Sequence, residues 1–490
     1  MNNLKAPSAL RVSRTCVRRA GALAGGAALL GAFSAVTGVA NAQSAVGPIP
    51  QPADGSLSYK GITLYGIVDV GIGYETHGAP FSDYFMASSA DLIQKNGNHS
   101  AFGATSNNMS QSRVGLQGLE SLGVGDWYGI FRVETYFNPS SGDISDALKS
   151  LAQNNGRAVA AQTTNLDSSI AGELFEQAFI GLSSKTFGSV TFGRQNTLQA
   201  DGVAKYDPNG ASQAFSLIGL SGTTAGGGDT QDRRLDDSLK YVEALGPAHV
   251  GVMYKFSQSY GAANTAEQFN VGFEYAGLSV DAYYAHVRDA VSASALSAAQ
   301  LAIAVAAPNY LSSSNSLSGT ISDNQDFMLN ALYSFGAIPL KVYASWEHIQ
   351  FGNPKNPLAI GFDDIGGYKL GAVNNAAFPH DRIYNIYWTG AKYTLWSKLD
   401  LTGAYYGLHQ NTYGAASVSC TPSLKASTCS GDELYLSIDA DYRWTKRFDT
   451  YIGAMYSRVQ GGRANGFLLA TPTHPYADDL DPTIGFRFRF

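Results

Sequence analysis

Leu434-Tyr435-Leu436-Ser437-Ile438-Asp439-Ala440-Asp441-Tyr442-Arg443-Trp444 repeats with a period of two. The even positions, Leu434, Leu436, Ile438, Ala440, Tyr442 and Trp444, are apolar or aromatic. The odd positions include Ser437, Asp439, Asp441 and Arg443. Successive side chains of a strand point to opposite faces, so this stretch has one oily face and one charged face. A soluble sheet has no need of so sharp a division. A closed membrane barrel does, because lipid demands the first face and a wetted interior tolerates the second.

The pattern recurs outward from this stretch. Trp127, Phe131, Val133 and Phe137 alternate with Arg132 and Glu134, and Leu340, Val342, Ala344 and Trp346 alternate with Lys341, Ser345 and Glu347. The chain closes on Ile484-Gly485-Phe486-Arg487-Phe488-Arg489-Phe490. Any one segment also fits a soluble antiparallel sandwich. Together they predict an all-β fold, a transmembrane antiparallel barrel.

The N-terminus fits that location. Lys5, Arg11, Arg14, Arg18 and Arg19 precede small and apolar residues up to Val39, and Ala40-Asn41-Ala42 has the small-x-small form of a cleavage site. Residues 1–42 therefore read as a signal peptide, with Gln43 as the mature start; the Gly- and Ala-rich composition disfavours a retained anchor. Beyond residue 42 no apolar run is long enough for a spanning helix. Hydrophobic residues make up 44% of the chain, yet mean hydropathy is −0.09, so they are dispersed. The 28 Tyr, 24 Phe and 54 Gly suit many strands joined by tight turns. A net charge of −6 gives no footprint for nucleic acid.

Short turns are expected near 121–125, 184–188, 245–248, 276–278, 336–339, 395–399 and 445–448. Long polar stretches at 76–108, 139–172, 289–322 and 351–380 lie between the resulting hairpins. Short turns facing the periplasm and long loops facing outside give about sixteen strands within 61–490. Trp127, Trp396 and Trp444 sit beside short turns, where they would form an interfacial aromatic girdle. Residues 43–60, with Pro48, Pro50 and Pro52, read as an extended periplasmic leader. The Ala-rich stretch 290–310 reads as a short external helix or a plain loop.

Cys16 falls in the signal, while Cys420 and Cys429 lie close together in a polar loop. An oxidising compartment favours a disulfide between them, and a metal site would need further ligands nearby. Eight dispersed His, no Walker loop and no HExxH leave no expected metal, cofactor or enzymatic centre.

Several motifs carry a family resemblance. They are Ile62-Thr63-Leu64-Tyr65-Gly66-Ile67-Val68-Asp69, and Ser112-Arg113-Val114-Gly115-Leu116-Gln117-Gly118 followed by Glu120-Ser121-Leu122-Gly123. The most specific is Phe179-Ile180-Gly181-Leu182-Ser183-Ser184 leading to Phe192-Gly193-Arg194-Gln195, with Gly485-Phe486-Arg487-Phe488 at the end. These stretches resemble the general trimeric porins of beta-proteobacteria, the Gram-negative porin family. The matches touch strands throughout the mature chain and leave the long loops unmatched. The resemblance implies a sixteen-stranded barrel, a homotrimer, and a third external loop, about 195–232, folded inward to narrow the pore. That loop carries Asp201, Asp207, Asp229 and Asp232 against Lys205. An ordinary solvated loop is the alternative.

In this family lumen arginines oppose the inward loop. Arg113 matches one of them and Arg234 is placed with another. Gln177 stands where anion-selective members carry a further arginine, and Arg132, lumen-facing by its alternation, is a candidate to compensate. For each arginine the plain alternative is a wall charge with an acidic partner. By resemblance to the barrel class, Phe490 ends the amphipathic strand that the barrel assembly machinery reads. The implied function is an outer-membrane channel for passive diffusion of ions and small hydrophilic solutes, with membrane lipids as its surroundings. The rivals are a substrate-specific channel lined by aromatics such as Tyr65, Tyr343 and Tyr405, an outer-membrane hydrolase with a Ser-His pair, and an adhesin acting through its loops.

Overall fold

The computed structural model describes residues 56–77, 99–140, 175–220, 234–257, 265–289, 291–293, 319–321, 323–355, 364–365, 368–369, 377–417, 419–423 and 427–490. The proposed signal peptide, Asp229, Asp232 and residues 294–310 of the Ala-rich stretch lie outside them. Val291–Ala293, at the start of that stretch, pairs as a short ribbon with Gly319–Ile321.

Sixteen antiparallel staves close on themselves. The first eight are β1 (Ile62–Glu75), β2 (Ala101–Ser106 continued by Arg113–Ser121), β3 (Trp127–Tyr136), β4 (Gln177–Ser184), β5 (Gly188–Asn196), β6 (Arg234–Leu245), β7 (Ala248–Lys255) and β8 (Thr265–Tyr275). The remainder are β9 (Leu278–Arg288), β10 (Asp323–Ser334), β11 (Leu340–Gly352), β12 (Arg382–Leu395), β13 (Leu399–Gln410), β14 (Gly431–Arg443), β15 (Phe448–Gly461) and β16 (Tyr476–Arg489). Each pairs with the next, and β16 returns to β1 in the register Ile67↔Arg489 to Gly73↔Thr483. Closure gives every stave two neighbours, so the wall satisfies most of its own backbone.

The alternation fixes which way each side chain points. In β14, Leu436 and Ile438 are 49% and 69% exposed on the outer face, whereas Tyr435, Ser437, Asp439 and Asp441 are buried inside. Trp396 and Trp444 are exposed at the short turns, and Trp127 stacks on Phe187 with ring centroids 5.9 Å apart. All seven expected short turns join consecutive staves.

Two local features depart from the sequence expectation. The leader 43–60 is not wholly outside the wall: Leu57–Tyr59 pairs with β1, Leu57↔Leu64 to Tyr59↔Ile62, through a two-residue turn at Lys60-Gly61. Both turn residues have positive φ, 47° and 79°, as a primed hairpin turn requires. The long stretch 76–108 also ends early, because Ala101–Ser106 pairs with Val70–Glu75 of β1.

β2 is broken at residues 107–112, and Asp69 holds the break. Its carboxylate accepts from the Met109 and Ser110 amides at 2.9 and 2.8 Å, and its own amide donates to Ser112 Oγ at 2.9 Å. Asn107 takes φ 64° at this corner. The buried aspartate thus turns a strand interruption into a fixed knuckle inside the barrel.

Candidate functional site

That knuckle anchors the segment between β5 and β6. Ala214 N and Ser212 Oγ both donate to Asn108 O at 2.9 Å. Upstream, helix α1 (Leu198–Tyr206) starts at Thr197, whose hydroxyl accepts from Ala200 N at 3.0 Å. Asp201 in its first turn and Lys205 in its last suit the helix dipole.

The buried face of α1 packs on inward side chains. Leu198 and Val203 join Met253, Tyr283, Met328 and Trp388 in one apolar cluster. Tyr206 packs with Leu332 and Tyr343, and its hydroxyl donates to Asp281. Trp388 Nε1 donates to Tyr206 O at 3.1 Å, and Gln268 Oε1 accepts from Leu198 N at 2.9 Å. Lys205 forms an ion pair with Glu274. All these partners point into the barrel, so the segment from Thr197 to Ile218 lies within it. β5 runs to Asn196, two residues into the expected loop 195–232.

The loop's acids do not form one acidic face. Asp201 is half-exposed, 2.8 Å from Lys240 Nζ of β6. Asp207 is buried instead: it accepts from Tyr406 Oη at 2.7 Å and from Ala211 N at 2.6 Å. Its position after the last helical turn makes it part of the segment's own packing. Of the two aspartates expected opposite the arginines, Asp207 is thus corrected to a buried packing residue, and Asp201 alone is exposed among the described aspartates of the loop.

The arginines converge on the wall made by β2, β3, β4 and the start of β6. The guanidinium carbons of Arg113 and Arg234 lie 5.9 and 4.7 Å from the Tyr136 ring centroid. Arg234 Nη1 is 3.0 Å from Glu176 Oε2, and Arg113 Nε is 3.8 Å from Glu134 Oε2. Glu134 also accepts from Tyr65 Oη at 2.8 Å and from Gln177 Nε2 at 3.2 Å. Arg132 Nη2 donates to Gln117 Oε1 at 2.8 Å, and its guanidinium lies over the Tyr65 and Phe179 rings. Arg113 and Arg234 thus each face a carboxylate, Glu134 and Glu176. Gln177 adds an amide donor to Glu134 and no charge.

Sequence reasoning set Glu134 on the charged face beside Arg132 but named neither Glu134 nor Tyr136 nor Lys240 as a site residue. Tyr136 and Glu134 share the phase of Arg132 in β3, which is the signal that finds them. Of the aromatics considered for a solute path, Tyr65 is tied to Glu134 and Tyr343 is covered beside Tyr206. Tyr405 faces outward, its ring 6.0 Å from that of exposed Tyr387.

The remaining residues singled out are structural. Cys420 and Cys429 form a disulfide, with Cys429 buried and its carbonyl accepting from Gln410 Nε2 at 2.9 Å. Phe490 exchanges two backbone hydrogen bonds with Gly66, each 3.0 Å. Among the described residues no group of His, Cys, Asp or Glu could hold a metal ion, and no helix is long and apolar enough to cross a membrane.

Known proteins share this architecture. An outer membrane porin of Bordetella pertussis is 27% identical over 317 residues, covering 63% of this chain and 71% of its own. The anion-selective porin from Comamonas acidovorans superposes with a TM-score of 0.54 at 16% identity, over 88% of this chain and 99% of that one. The trimer form of in-vitro folded OmpT of Vibrio cholerae gives 0.50 at 13%, over 88% and 99%. The Gram-negative porin family profile matches residues 26–462. A closed sixteen-stave wall and that match over most of its length lead to one assignment: the chain belongs to the Gram-negative porins and is a multi-pass channel protein of the outer membrane.

Proposed function

We propose that this porin passes ions and small hydrophilic solutes by passive diffusion, with the inward segment 197–220 narrowing a water-filled path beside the arginine wall. The observation that carries this reading is the docking of α1 on inward side chains of β7 to β12, inside the barrel whose β2, β3 and β6 carry Arg113, Arg132 and Arg234. A solute that keeps its water pays no dehydration cost, and charges set in low-dielectric walls focus the field across the narrow part. Glu134 and Glu176 sit against Arg113 and Arg234, so the anion preference is weak. No chemistry is required, and the protein acts as a channel rather than an enzyme.

A homotrimer is the assembly this reading favours, and the trimer form of OmpT supports it. Removal of residues 1–42 and reading of the strand ending at Phe490 by the assembly machinery complete the proposed maturation. A substrate-specific pathway is disfavoured, because the inward aromatics Phe351, Tyr384, Trp388, Tyr406 and Tyr435 are covered. Single-channel recording of the refolded protein tests the reading. Ohmic steps closing in three levels, unsaturated by sugars, are expected; silence or saturable, ligand-blocked conductance would overturn it.

A further inference from the structure

Two lysines inside the barrel, Lys205 and Lys240, are each paired with an acid, Glu274 and Asp201. Lys341 and Lys392 are not. They stand directly opposite each other on β11 and β12, in the row Ser334↔Lys341↔Lys392↔Thr402. Neither makes an ion pair or hydrogen bond with the described residues. Lys341 is exposed and Lys392 half-buried.

Both side chains point into the lumen. Lys341 lies two residues before Tyr343, which packs beside Tyr206 of α1. Lys392 lies two residues beyond Gly390, where an added Cβ would stand 2.6 Å from Pro208 Cγ of the inserted segment. Side chains two apart in a strand share a face. The pair therefore sits inside the barrel, one pleat past the inserted segment toward the short turns.

Like charges directly opposite each other destabilise a sheet. The nearby acids are committed or distant. Asp400 accepts from Arg443 Nη2 at 3.1 Å and from Thr394 Oγ1 at 2.7 Å. Asp439 is 4% exposed. It lies two strand spacings along the same row, about 10 Å away. Farther along this wall Arg443 and Arg489 are 32% and 35% exposed, whereas their partners Asp400 and Asp449 are 15% and 0%. The wall thus shows its cations to the lumen and keeps its carboxylates behind them. Charge presented in that way from a low-dielectric wall concentrates anions.

We propose that Lys341 and Lys392 form a binding site for a small oxyanion with two negative charges. The two ammoniums meet two of its oxygens, and the hydroxyl of Ser334, opposite Lys341, offers a third donor. A dianion neutralises both lysines at once, which a single chloride does not, and this selects the class. The inference deepens the proposed function and rests on its water-filled lumen.

Inorganic phosphate, at a mildly alkaline pH where it is a dianion, is titrated into the detergent-solubilised full protein and followed by the broadening of its phosphorus resonance. The wild type should broaden it saturably, sulfate should compete, and chloride at equal ionic strength should not. Lys341→Gln and Lys392→Gln should each bind about tenfold more weakly, the loss of one charge-assisted hydrogen bond. Lys446→Gln, in the turn between β14 and β15, should bind as the wild type does. Without phosphate the two site variants should unfold at a temperature no lower than the wild type, because each removes one of two repelling charges. Phosphate should raise the unfolding temperature of the wild type alone. Unchanged phosphate binding in the double variant overturns the proposal and assigns the anion to the arginine wall. A lowered unfolding temperature of both site variants without phosphate also overturns it, and makes the lysines structural. Conductance is recorded in parallel: a silent or phosphate-blocked wild type that still binds phosphate through these lysines refutes passive diffusion and leaves the site standing.

Discussion

The guanidinium of Arg234 lies 4.7 Å from the centroid of the Tyr136 ring while its Nη2 donates to that tyrosine's hydroxyl. Arg113 reaches the same hydroxyl at 3.4 Å. Tyr136 thus fixes two cations side by side, and each has its own carboxylate, Glu176 for Arg234 and Glu134 for Arg113.

This pairing predicts the sign of a selectivity change. Arg234→Ala leaves Glu176 unneutralised, and Arg113→Ala does the same for Glu134. Both variants should shift the reversal potential in a salt gradient toward cations. A unit charge about 4 Å away in water is worth ~1 kcal/mol, so the permeability ratio should change by roughly fivefold at most. Unchanged reversal potentials for both variants would remove these arginines from the ion path.

The inward segment depends on a residue far from it in sequence. Trp388 of β12 is buried and donates to Tyr206 O, closing the C-terminal end of α1. Truncating a buried Trp costs about 3–5 kcal/mol, here mostly in docking, since the β12 backbone ladder stays intact. Trp388→Ala should therefore assemble normally but show larger, noisier single-channel steps. Steps of wild-type size and noise would mean that the segment is held without this contact.

The short turns are stitched to one another. Asp126, between β2 and β3, accepts from Ser184 Oγ at 2.9 Å and from Thr186 Oγ1 and N at 3.0 and 2.9 Å. The Ser184 hydroxyl, followed by the Thr186 donors, holds its carboxyl below the ordinary aspartate range. A depressed folded-state value means that the contribution is complete above the unfolded value, about 3.9, and is lost as pH falls through the folded one. Asp126→Asn should lower the unfolding temperature at pH 7, and the gap to wild type should close as pH drops below that range. A gap independent of pH would assign the effect to shape rather than charge.

The wall was legible because one rule governs it. Leu436 and Ile438 must meet lipid and Asp439 and Asp441 must not, so alternation alone orients β14. The same rule misleads where the interior is dry. Trp388, Phe351 and Met328 point inward because an inserted segment covers them, and nothing local in β10, β11 or β12 announces that cover. Tyr405 was unreadable for a related reason: an aromatic suits either face until its phase is fixed by Ala404 and Tyr406, both buried. The pairing of Asp201 with Lys240 and the burial of Asp207 depend on where α1 docks, which loop composition does not encode. Arg113 and Arg234 came from family likeness. Their shared partner Tyr136 required the fold.

Closure of the barrel depends on the last residue finding a place without a side chain. Phe490 N donates to Gly66 O and Gly66 N donates to Phe490 O, continuing the β1–β16 ladder past Arg489. A Cβ at Gly66 would stand 2.3 Å from Phe490 Cζ and 2.7 Å from Arg113 O, so the ring occupies the space that glycine leaves. The Arg113 carbonyl is backbone of β2 and has no rotamer by which to yield. Gly66→Ala must therefore displace both the terminal ring and the first ladder rungs. Deleting Phe490 removes two hydrogen bonds, each worth about 0.5–1.5 kcal/mol net, and the ring's cover over the seam. Both variants should reduce the fraction of protein that migrates as the compact form in unheated gels and gains mobility shift on boiling. The deletion should do so even in refolding from urea without assembly factors, where only the closure contacts act. If refolding in detergent is normal and assembly in cells alone fails, Phe490 serves recognition by the machinery rather than closure. If neither changes, the reciprocal pair with Gly66 contributes nothing to the seam.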